Sequence, residues 1–464
     1  MKRYIILLAV VLIGSAKLFA KTNDKPNVVI IFCDDLGYSD IECFGAEGFE
    51  TPNIDKLARK GRQFTDFYSA SSVCSPSRAA LLTGSHPVRI GIPSVLFPPR
   101  NGEEKVVSLS GLNPDEETLP ELLKEVGYNT ACVGKWHIGH RAEFMPLQHG
   151  FDEYFGLPYS NDMRPERSKA YPDLPLLNGV DTVELNPDQS TLTTRYTEYA
   201  VDFIKRNKEN PFFLYLPHSM PHIPLYVSDK FAGKSEKGIF GDVVMEIDWS
   251  VGEIMKTLKK LKLVDNTIVI FSSDNGPWIA AGEHGGSARP LREGKFEIFD
   301  GGLKVPCVMS WPAKIPKGTI CTEMCSTMDL LPTLVNIAGG RMPKETIDGL
   351  DIQNLLYGVE GAKTPHEALY FYQGKNLYSM RSGDWKCHRE HPYKTVVKPG
   401  VNGKTGQYAK KHLAISLFDV KNKPQEFDNV AAQHPQIVDS LLQMMDDYEL
   451  ELQQNARPCG RVEL

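Results

Sequence analysis

A cysteine set immediately before Ser75-Pro76-Ser77, with Arg78 four residues further on, is the stretch of this chain best suited to nucleophilic chemistry. Proline is preset for a first helical turn and serine favours a cap, so Cys74 is expected at the positive end of a helix. An anionic nucleophile or an anionic substrate is stabilised there. Arg78 returns to the same face one turn later and adds a charge that is not lost at working pH. A plain helix start with a small buried thiol would use the same residues, so the rest of the chain must decide between the two.

Two other stretches carry paired acids or acid and amide. Residues 28–33 are a continuous apolar, β-branched run, as expected of a central strand buried on both faces, and they end in Asp34-Asp35. Residues 267–273 repeat the pattern and end in Asp274-Asn275. Carboxylates at the carboxyl ends of buried strands lie where open α/β sheets place their ligands. Adjacent acids there repel and are desolvated unless a cation joins them, although two acids in a solvated loop are also common. Together Asp34, Asp35, Asp274 and Asn275 offer only oxygen, which selects a hard cation such as Ca²⁺ or Mg²⁺ over zinc. Lys135 and His137 follow a predicted strand at residues 130–133, two apart and able to point to one side. Pro221-His222-Ile223-Pro224 holds His222 stiffly just past another strand, and Lys295 sits in Arg292-Glu293-Gly294-Lys295.

Taken in order, Cys74-x-Pro76-x-Arg78 with Thr83-Gly84, Gly134-Lys135-Trp136-His137, Pro221-His222, Asp274-Asn275-Gly276 and the Lys295 segment resemble the type I, formylglycine-dependent sulfatases. Overall likeness is to the arylsulfatase A and N-acetylgalactosamine-6-sulfatase group and to bacterial exported glycan sulfatases. The resemblance implies an alkaline-phosphatase-like α/β/α sandwich with a large, mostly parallel mixed sheet. It implies that Cys74 is oxidised to formylglycine by a formylglycine-generating enzyme, and that the aldehyde hydrate is the nucleophile. It favours one Ca²⁺ ion held by Asp34, Asp35, Asp274, Asn275 and the residue at position 74. Arg78, Lys135 and Lys295 would neutralise sulfate, His222 would protonate the leaving alcohol, and His137 would take a proton from the spent hydrate. Ser160, in Gly156-Leu157-Pro158-Tyr159-Ser160-Asn161-Asp162, matches a sulfate-contacting serine; Asp300 departs from the glutamate common in the family.

A chain of 464 residues suits one large α/β domain and a smaller one. Residues 1–20 combine Lys2 and Arg3, a short apolar run and a small residue at the end, which reads as a secretory signal peptide rather than a membrane anchor. The expected product is exported, periplasmic or secreted, by a bacterial route, with no stable membrane anchor. A net charge of -6 argues against nucleic acid as the main partner. Nine cysteines are an odd number, which leaves room for one chemically special residue.

Residues 21–360 are expected to form the catalytic domain and residues 361–464 a C-terminal α+β subdomain. Helices are expected over residues 51–61 capped by Thr51, 118–127 opened by a Thr118/Glu121 capping box, 194–207, 242–261 and 328–338. Residues 64–70 read as the strand that delivers Cys74. Residues 163–191, rich in Pro, Asp and Arg, read as a surface loop. Four short strands and a helix over 435–453 suggest a small antiparallel sheet with one covering helix.

The reading is an exo-acting sulfatase on a sulfated oligosaccharide, cleaving a galactose or N-acetylgalactosamine 4-O- or 6-O-sulfate. Asn161, Asp162, Arg164, Arg167, His218 and His284 are candidate sugar contacts, each as easily a solvated loop residue. A phosphatase or phosphonate hydrolase of the same superfamily would need further His and Asp ligands for a second metal. An inactive glycan-binding relative would be expected to have lost Cys74, Arg78 or an acid, and none is lost.

Overall fold

Residues 25–463 are described by the computed structural model, so the leader segment lies outside the described residues. Ten strands form one mixed sheet in the order Thr319–Cys321, Arg62–Phe64, Cys307–Ser310, Thr267–Ser273, Asn27–Cys33, Phe212–Pro217, Asn129–Val133, Glu153–Gly156, Pro175–Asn178 and Asp181–Leu185. The five strands from Thr267–Ser273 to Glu153–Gly156 run parallel, with antiparallel pairs on both flanks. All five therefore end at the same edge of the sheet, and the residues following them meet there.

The apolar run of the Asn27–Cys33 strand is continuous because both of its faces are covered. Val28, Ile30 and Phe32 pack with Leu81 and Leu82 of the Cys74–Thr83 helix and with the Leu119–Glu125 and Leu330–Ala338 helices. Val29, Ile31 and Cys33 pack with the Pro52–Lys60, Leu192–Arg206 and Gly238–Lys260 helices. Burying each such side chain contributes about 1.5–3 kcal/mol, so the strand ends that carry the acids sit on a frame held by burial on both faces. This is the expected α/β/α layering. A four-stranded antiparallel sheet of Leu369–Gln373, Asn376–Ser382, Trp385–His388 and Ser416–Asp419 follows, covered by the Pro435–Gln454 helix. It docks through buried polar contacts: Arg381 Nη1 donates to the Tyr68 hydroxyl at 2.6 Å, and Lys386 Nζ meets Asp300 at 2.7 Å and Glu426 at 3.0 Å.

Local expectations are corrected at several points. Thr51 does not cap its helix; its hydroxyl donates to Asp55, and the free N–H groups of Asn53 and Ile54 are taken by Asp248 of the Gly238–Lys260 helix at 2.9 and 2.8 Å. A tertiary carboxylate has replaced the local cap. The 64–70 strand is broken into Arg62–Phe64 and Phe67–Tyr68. Residues 163–191 are not simply a loop, since Pro175–Asn178 and Asp181–Leu185 form a hairpin on the sheet edge, turning through Gly179 at φ +61°. Gly179 at the first position of the two-residue turn Gly179-Val180 is a hairpin signal that the high Pro and Asp content obscured. A second hairpin, His391–Lys398 with Gln407–Leu413, has lysines on its strands and no continuous apolar face, so periodicity did not reveal it.

Candidate active site

The helix begins at Cys74 itself, with Val73 as the cap residue, and Ser75 uses its hydroxyl to accept the Leu96 N–H at 3.1 Å. Serine capping is thus corrected, while Cys74 does stand in the first turn. Its Sγ lies 3.3 Å from Asp34 Oδ1, 4.0 Å from Asp35 Oδ1 and 3.6 Å from Lys295 Nζ. Burial and Asp34 push the thiol well above its ordinary pKa, in spite of Lys135 and Lys295. The positive helix end does not decide the matter here, because three carboxylates surround the sulfur.

Asp34, Asp35, Cys74 and Asp274 bring one ligand atom each to within 4.8 Å of one another. Asp274 reaches the cluster from the neighbouring parallel strand, where its Oδ1 accepts the Asp35 N–H at 3.1 Å. Asn275 Nδ2 donates to Asp35 Oδ1 at 2.7 Å, which leaves Asn275 Oδ1 buried with no partner. A buried amide oxygen without a donor is costly, and one beside three carboxylates fits a cation. The residues present therefore fit a hard ion.

Three cations face these acids. Arg78 donates through Nε to Asp274 Oδ2 and through Nη1 to the Lys135 carbonyl, both at 3.0 Å, and its Nη2 lies 2.8 Å from Asp274 Oδ2 and 3.5 Å from Asp34 without a hydrogen bond of its own. Lys135 Nζ bonds Asp34 Oδ2 and lies 3.2 Å from Ser160 Oγ. Lys295 Nζ donates to Asp35 Oδ2 at 2.7 Å. Burial opposes the charge of Asp34, yet Lys135, His222, Arg78 and Lys295 hold its carboxyl well below the usual range. Burial likewise opposes the charge of Lys295, and Asp35 and its neighbours raise its pKa nonetheless.

Lys135 and His137 lie past the strand end rather than on it, and the chain turns sharply between strand and lysine. Gly134 has φ +135°, and a Cβ there would come within 1.9 Å of the Pro217 carbonyl, so only glycine allows the turn. His137 Nε2 is 3.0 Å from the Leu96 carbonyl, which can only accept; the proton is therefore on Nε2, and Nδ1, buried without a partner, keeps its lone pair. Burial, with Lys135 and Arg78, lowers the His137 pKa well below its ordinary value. His222 donates from Nδ1 to the Ile223 carbonyl at 2.6 Å and points Nε2 at Asp35 Oδ2, 3.6 Å away. Burial and Lys295 lower its pKa against the pull of Asp35 and Asp34.

The candidate sugar contacts fare differently. Asn161 is a clamp: its Nδ2 donates to Gln189 and to the carbonyls of His222 and Pro224, fixing the turn that carries His222. His218 is corrected; it is turned into the helical layer, 3.3 Å from the Ser250 hydroxyl and against Tyr196. His284 is also moved away, lining a separate cavity with Phe44 and Phe240. Asp162 stays near the site and adds to the field on His222. Arg164 pairs with Glu166 and donates to the Tyr226 hydroxyl at 2.7 Å, and Arg167 is exposed. Sequence reasoning missed Trp278, whose ring lies 4.8 Å from Lys295 Nζ and 5.7 Å from the His222 ring; its position three residues after Asn275 was the available signal. It also missed the Leu96 carbonyl, a backbone group that no side-chain motif can announce.

An α/β/α sandwich with cation-paired carboxylates and a cysteine at one sheet edge defines a hydrolase of anionic esters, and the chain belongs to the sulfatase family, whose enzymes are sulfuric ester hydrolases. The family described as "Sulfatase" matches residues 26–340, and "N-sulphoglucosamine sulphohydrolase, C-terminal" matches residues 293–454. N-acetylgalactosamine-6-sulfatase of Canis lupus familiaris is 40% identical over 382 residues, 80% of this chain and 72% of the relative. Arylsulfatase A of Bos taurus is 37% identical over 455 residues, 92% of this chain and 87% of the relative. Among solved structures, the PsFucS1 sulfatase from Pseudoalteromonas sp. superposes with a TM-score of 0.81 at 26% identity, covering 93% of this chain and 91% of the other. Among the described residues no helix is long and apolar enough to cross a membrane.

Proposed function

We propose that this sulfatase removes sulfate from a carbohydrate, acting from the chain end on a galactose or N-acetylgalactosamine unit sulfated at 4-O or 6-O. In this reading the nucleophile is a formylglycine hydrate made from Cys74 by a formylglycine-generating enzyme, and Asp34, Asp35, Asp274, Asn275 and position 74 hold one Ca²⁺ ion. The observation that carries it is the convergence of Cys74 with three carboxylates and three buried cations at one sheet edge. The 40% identity to N-acetylgalactosamine-6-sulfatase supports the choice of sugar.

When bound, the ion supplies Lewis acidity, polarising the ester and favouring the ionised form of a hydroxyl at position 74. The remaining work belongs to the chain. Negative charge grows on the departing oxygen, and Arg78, Lys135 and Lys295, already fixed by Asp274, Asp34 and Asp35, meet it without reorganising. Lys135 also orients the Ser160 hydroxyl. His222, its Nδ1 held by the Ile223 carbonyl, delivers a proton from Nε2 to the leaving alcohol in its imidazolium form, which Asp35 favours against burial and Lys295. His137, its Nε2 proton held by Leu96, accepts a proton at Nδ1 from position 74 in the second half of the cycle.

Export to the periplasm or medium, through removal of residues 1–20, belongs to the same reading. So does the division into a catalytic unit of residues 21–360 and a C-terminal unit of residues 361–464, supported by the separate four-stranded antiparallel sheet whose first strand starts at Leu369. The test is sulfate release from regiospecifically sulfated mono- and disaccharides by protein co-produced with a formylglycine-generating enzyme. Sulfate release that is lost in Cys74→Ala is expected. Full activity with Cys74 found unmodified by mass spectrometry would overturn the nucleophile, and turnover of phosphate esters alone would overturn the activity.

A further inference from the structure

A cavity of about 800 Å³ runs from the start of the Cys74–Thr83 helix to the hairpin of His391–Lys398 and Gln407–Leu413. Val73, Trp278 and Phe296 line it on the side of Cys74, and Lys394, Tyr408 and Lys410 line it on the hairpin. Trp278 joins the two ends. Its face lies 4.8 Å from Lys295 Nζ, its edge packs on Phe296 with ring centroids 5.3 Å apart, and its Nε1 donates to the Tyr408 hydroxyl at 2.9 Å. The cavity thus lies beside the sulfate end of the site with Trp278 between them, and its walls offer the flat aromatic faces on which sugar rings rest.

The charge on the hairpin is what identifies the occupant. Lys394 and Lys410 are directly opposite one another in the antiparallel register, so their side chains share the face turned to the cavity. Like charges in that position destabilise a hairpin. Neither ammonium group is in an ion pair among the described residues. The one acid lining the cavity, Glu297, accepts the Lys394 backbone N–H at 3.2 Å. Two lysines held face to face at the rim of an aromatic cavity, only Lys394 of them in the field of the lining acid Glu297 and neither in an ion pair with it, are a receptor for an anion.

We infer that the sugar next to the cleaved unit carries an anionic group of its own, a carboxylate or a second sulfate, and that Lys394 and Lys410 select for it. This rests on the sulfatase reading for which group is cleaved, but not for which group the hairpin binds. Three disaccharides distinguish the cases: the same sulfated unit joined to a neutral hexose, to a uronic acid and to a second sulfated hexose.

Wild-type kcat/KM, referred for each protein to an aryl sulfate, should favour an anionic neighbour by about tenfold, the reach of two exposed ion pairs. The uronate and sulfate arms show which group is preferred. The preference should fall as salt rises, since screening shortens from about 10 Å at 0.1 M to about 3 Å at 1 M. In Lys394→Gln/Lys410→Gln the preference should vanish, and the melting temperature without ligand should not fall, because the variant removes a repulsion. Calorimetric binding of the same disaccharides to Cys74→Ala and to Cys74→Ala/Lys394→Gln/Lys410→Gln reads the hairpin without turnover. If charge preference appears in binding while no protein releases sulfate, the activity is misread and the hairpin assignment stands. If sulfate is released with no charge preference, or with the same preference in the hairpin variant, the hairpin assignment is overturned.

Discussion

Replacing Asn275 separates the two tasks of its side chain. Its Nδ2 donates to Asp35 Oδ1 at 2.7 Å and to the Gly276 carbonyl at 2.9 Å, while Oδ1 is buried without a partner. In Asn275→Leu the ion-free protein loses those donations but also sheds an unsatisfied oxygen, whose burial costs about 1–3 kcal/mol. The two changes oppose each other, and the net effect on ion-free stability should be about 1 kcal/mol or less. In the proposed Ca²⁺ site the same oxygen would be a ligand, and its loss should weaken ion affinity by roughly 100-fold, the upper end of what losing a supporting partner does. An ion that binds only the folded chain stabilises by RT ln(1 + [L]/Kd), about 4.1 kcal/mol at 1,000 Kd. At that concentration a 100-fold loss leaves about 1.4 kcal/mol. Asn275→Asp should behave oppositely. It keeps the oxygen, removes the donor to Asp35 and adds a fourth carboxylate, so the ion-free protein should be less stable and its gain on Ca²⁺ addition larger. Calorimetric Ca²⁺ titration, with unfolding midpoints in Ca²⁺ and in chelator, compares the three proteins. Equal Ca²⁺-dependent gains in wild type and Asn275→Leu, or none in wild type, would refute Oδ1 as a ligand.

Lys135→Met removes the ammonium group that faces Asp34 and Ser160, and kcat/KM for a sulfated sugar should drop on the order of 10²–10³. Retention of more than a tenth of wild-type activity would remove Lys135 from the site. Asp248→Ala frees the N–H groups of Asn53 and Ile54, and chemical denaturation should report a loss of about 1–2 kcal/mol; an unchanged midpoint would show that water caps that helix equally well. His149 stacks on Trp136 with both ring nitrogens buried and unpartnered, and burial lowers its pKa from 6.5 to about 4. The folded value lies below the unfolded one, so its share of stability is whole above about pH 6.5 and is lost as pH falls through about 4. At about 1.36 kcal/mol per pH unit that share is about 3 kcal/mol. His149→Phe should flatten the fall in unfolding free energy across that window, and parallel curves for the two proteins would reject the assignment.

How much of this was legible follows from what each part of the molecule depends on. Strand ends were readable because a strand buried on both faces must be apolar throughout, so a break into Asp34-Asp35 or Asp274-Asn275 marks the edge of the sheet unambiguously. Glu121 was readable as the capping-box partner of Thr118 because both atoms belong to one turn, and its carboxylate does accept the Thr118 N–H at 2.7 Å. Thr51 misled because its helix is capped from residue 248, nearly two hundred positions away, and a local rule cannot see a tertiary carboxylate. The sugar contacts misled for a related reason. His218 follows a strand end, as His222 does, but lies earlier in the turn and faces the helices. The hairpin that closes the cavity was invisible because its strands are stabilised by pairing and by packing on Phe299 and Trp278, not by an apolar face of their own.

The charges show what only the fold could add up. Asp34, Asp35 and Asp274 arrive on two strands and carry three negative charges when all are ionised, although burial and Asp34 push Asp274 up to about 7 against Arg78; Arg78, Lys135 and Lys295 arrive on a helix and two loops and carry three positive ones. In sequence they are scattered over residues 34–295, and the chain as a whole is mildly acidic, with a net charge of -6. Gathered in one buried pocket they balance, and this balance lets six ionic groups stay desolvated without a ligand. A divalent ion held there as proposed would tip the pocket to a surplus of two positive charges, at a place where water does not screen them. An ester with one negative charge, attacked by a hydroxyl at position 74 that gives up its proton, brings a second negative charge onto the reacting group, and neutrality is restored most fully at the transition state. Substituting any one cation should therefore reduce kcat more than it raises KM, because the missing charge is needed most when the second negative charge appears.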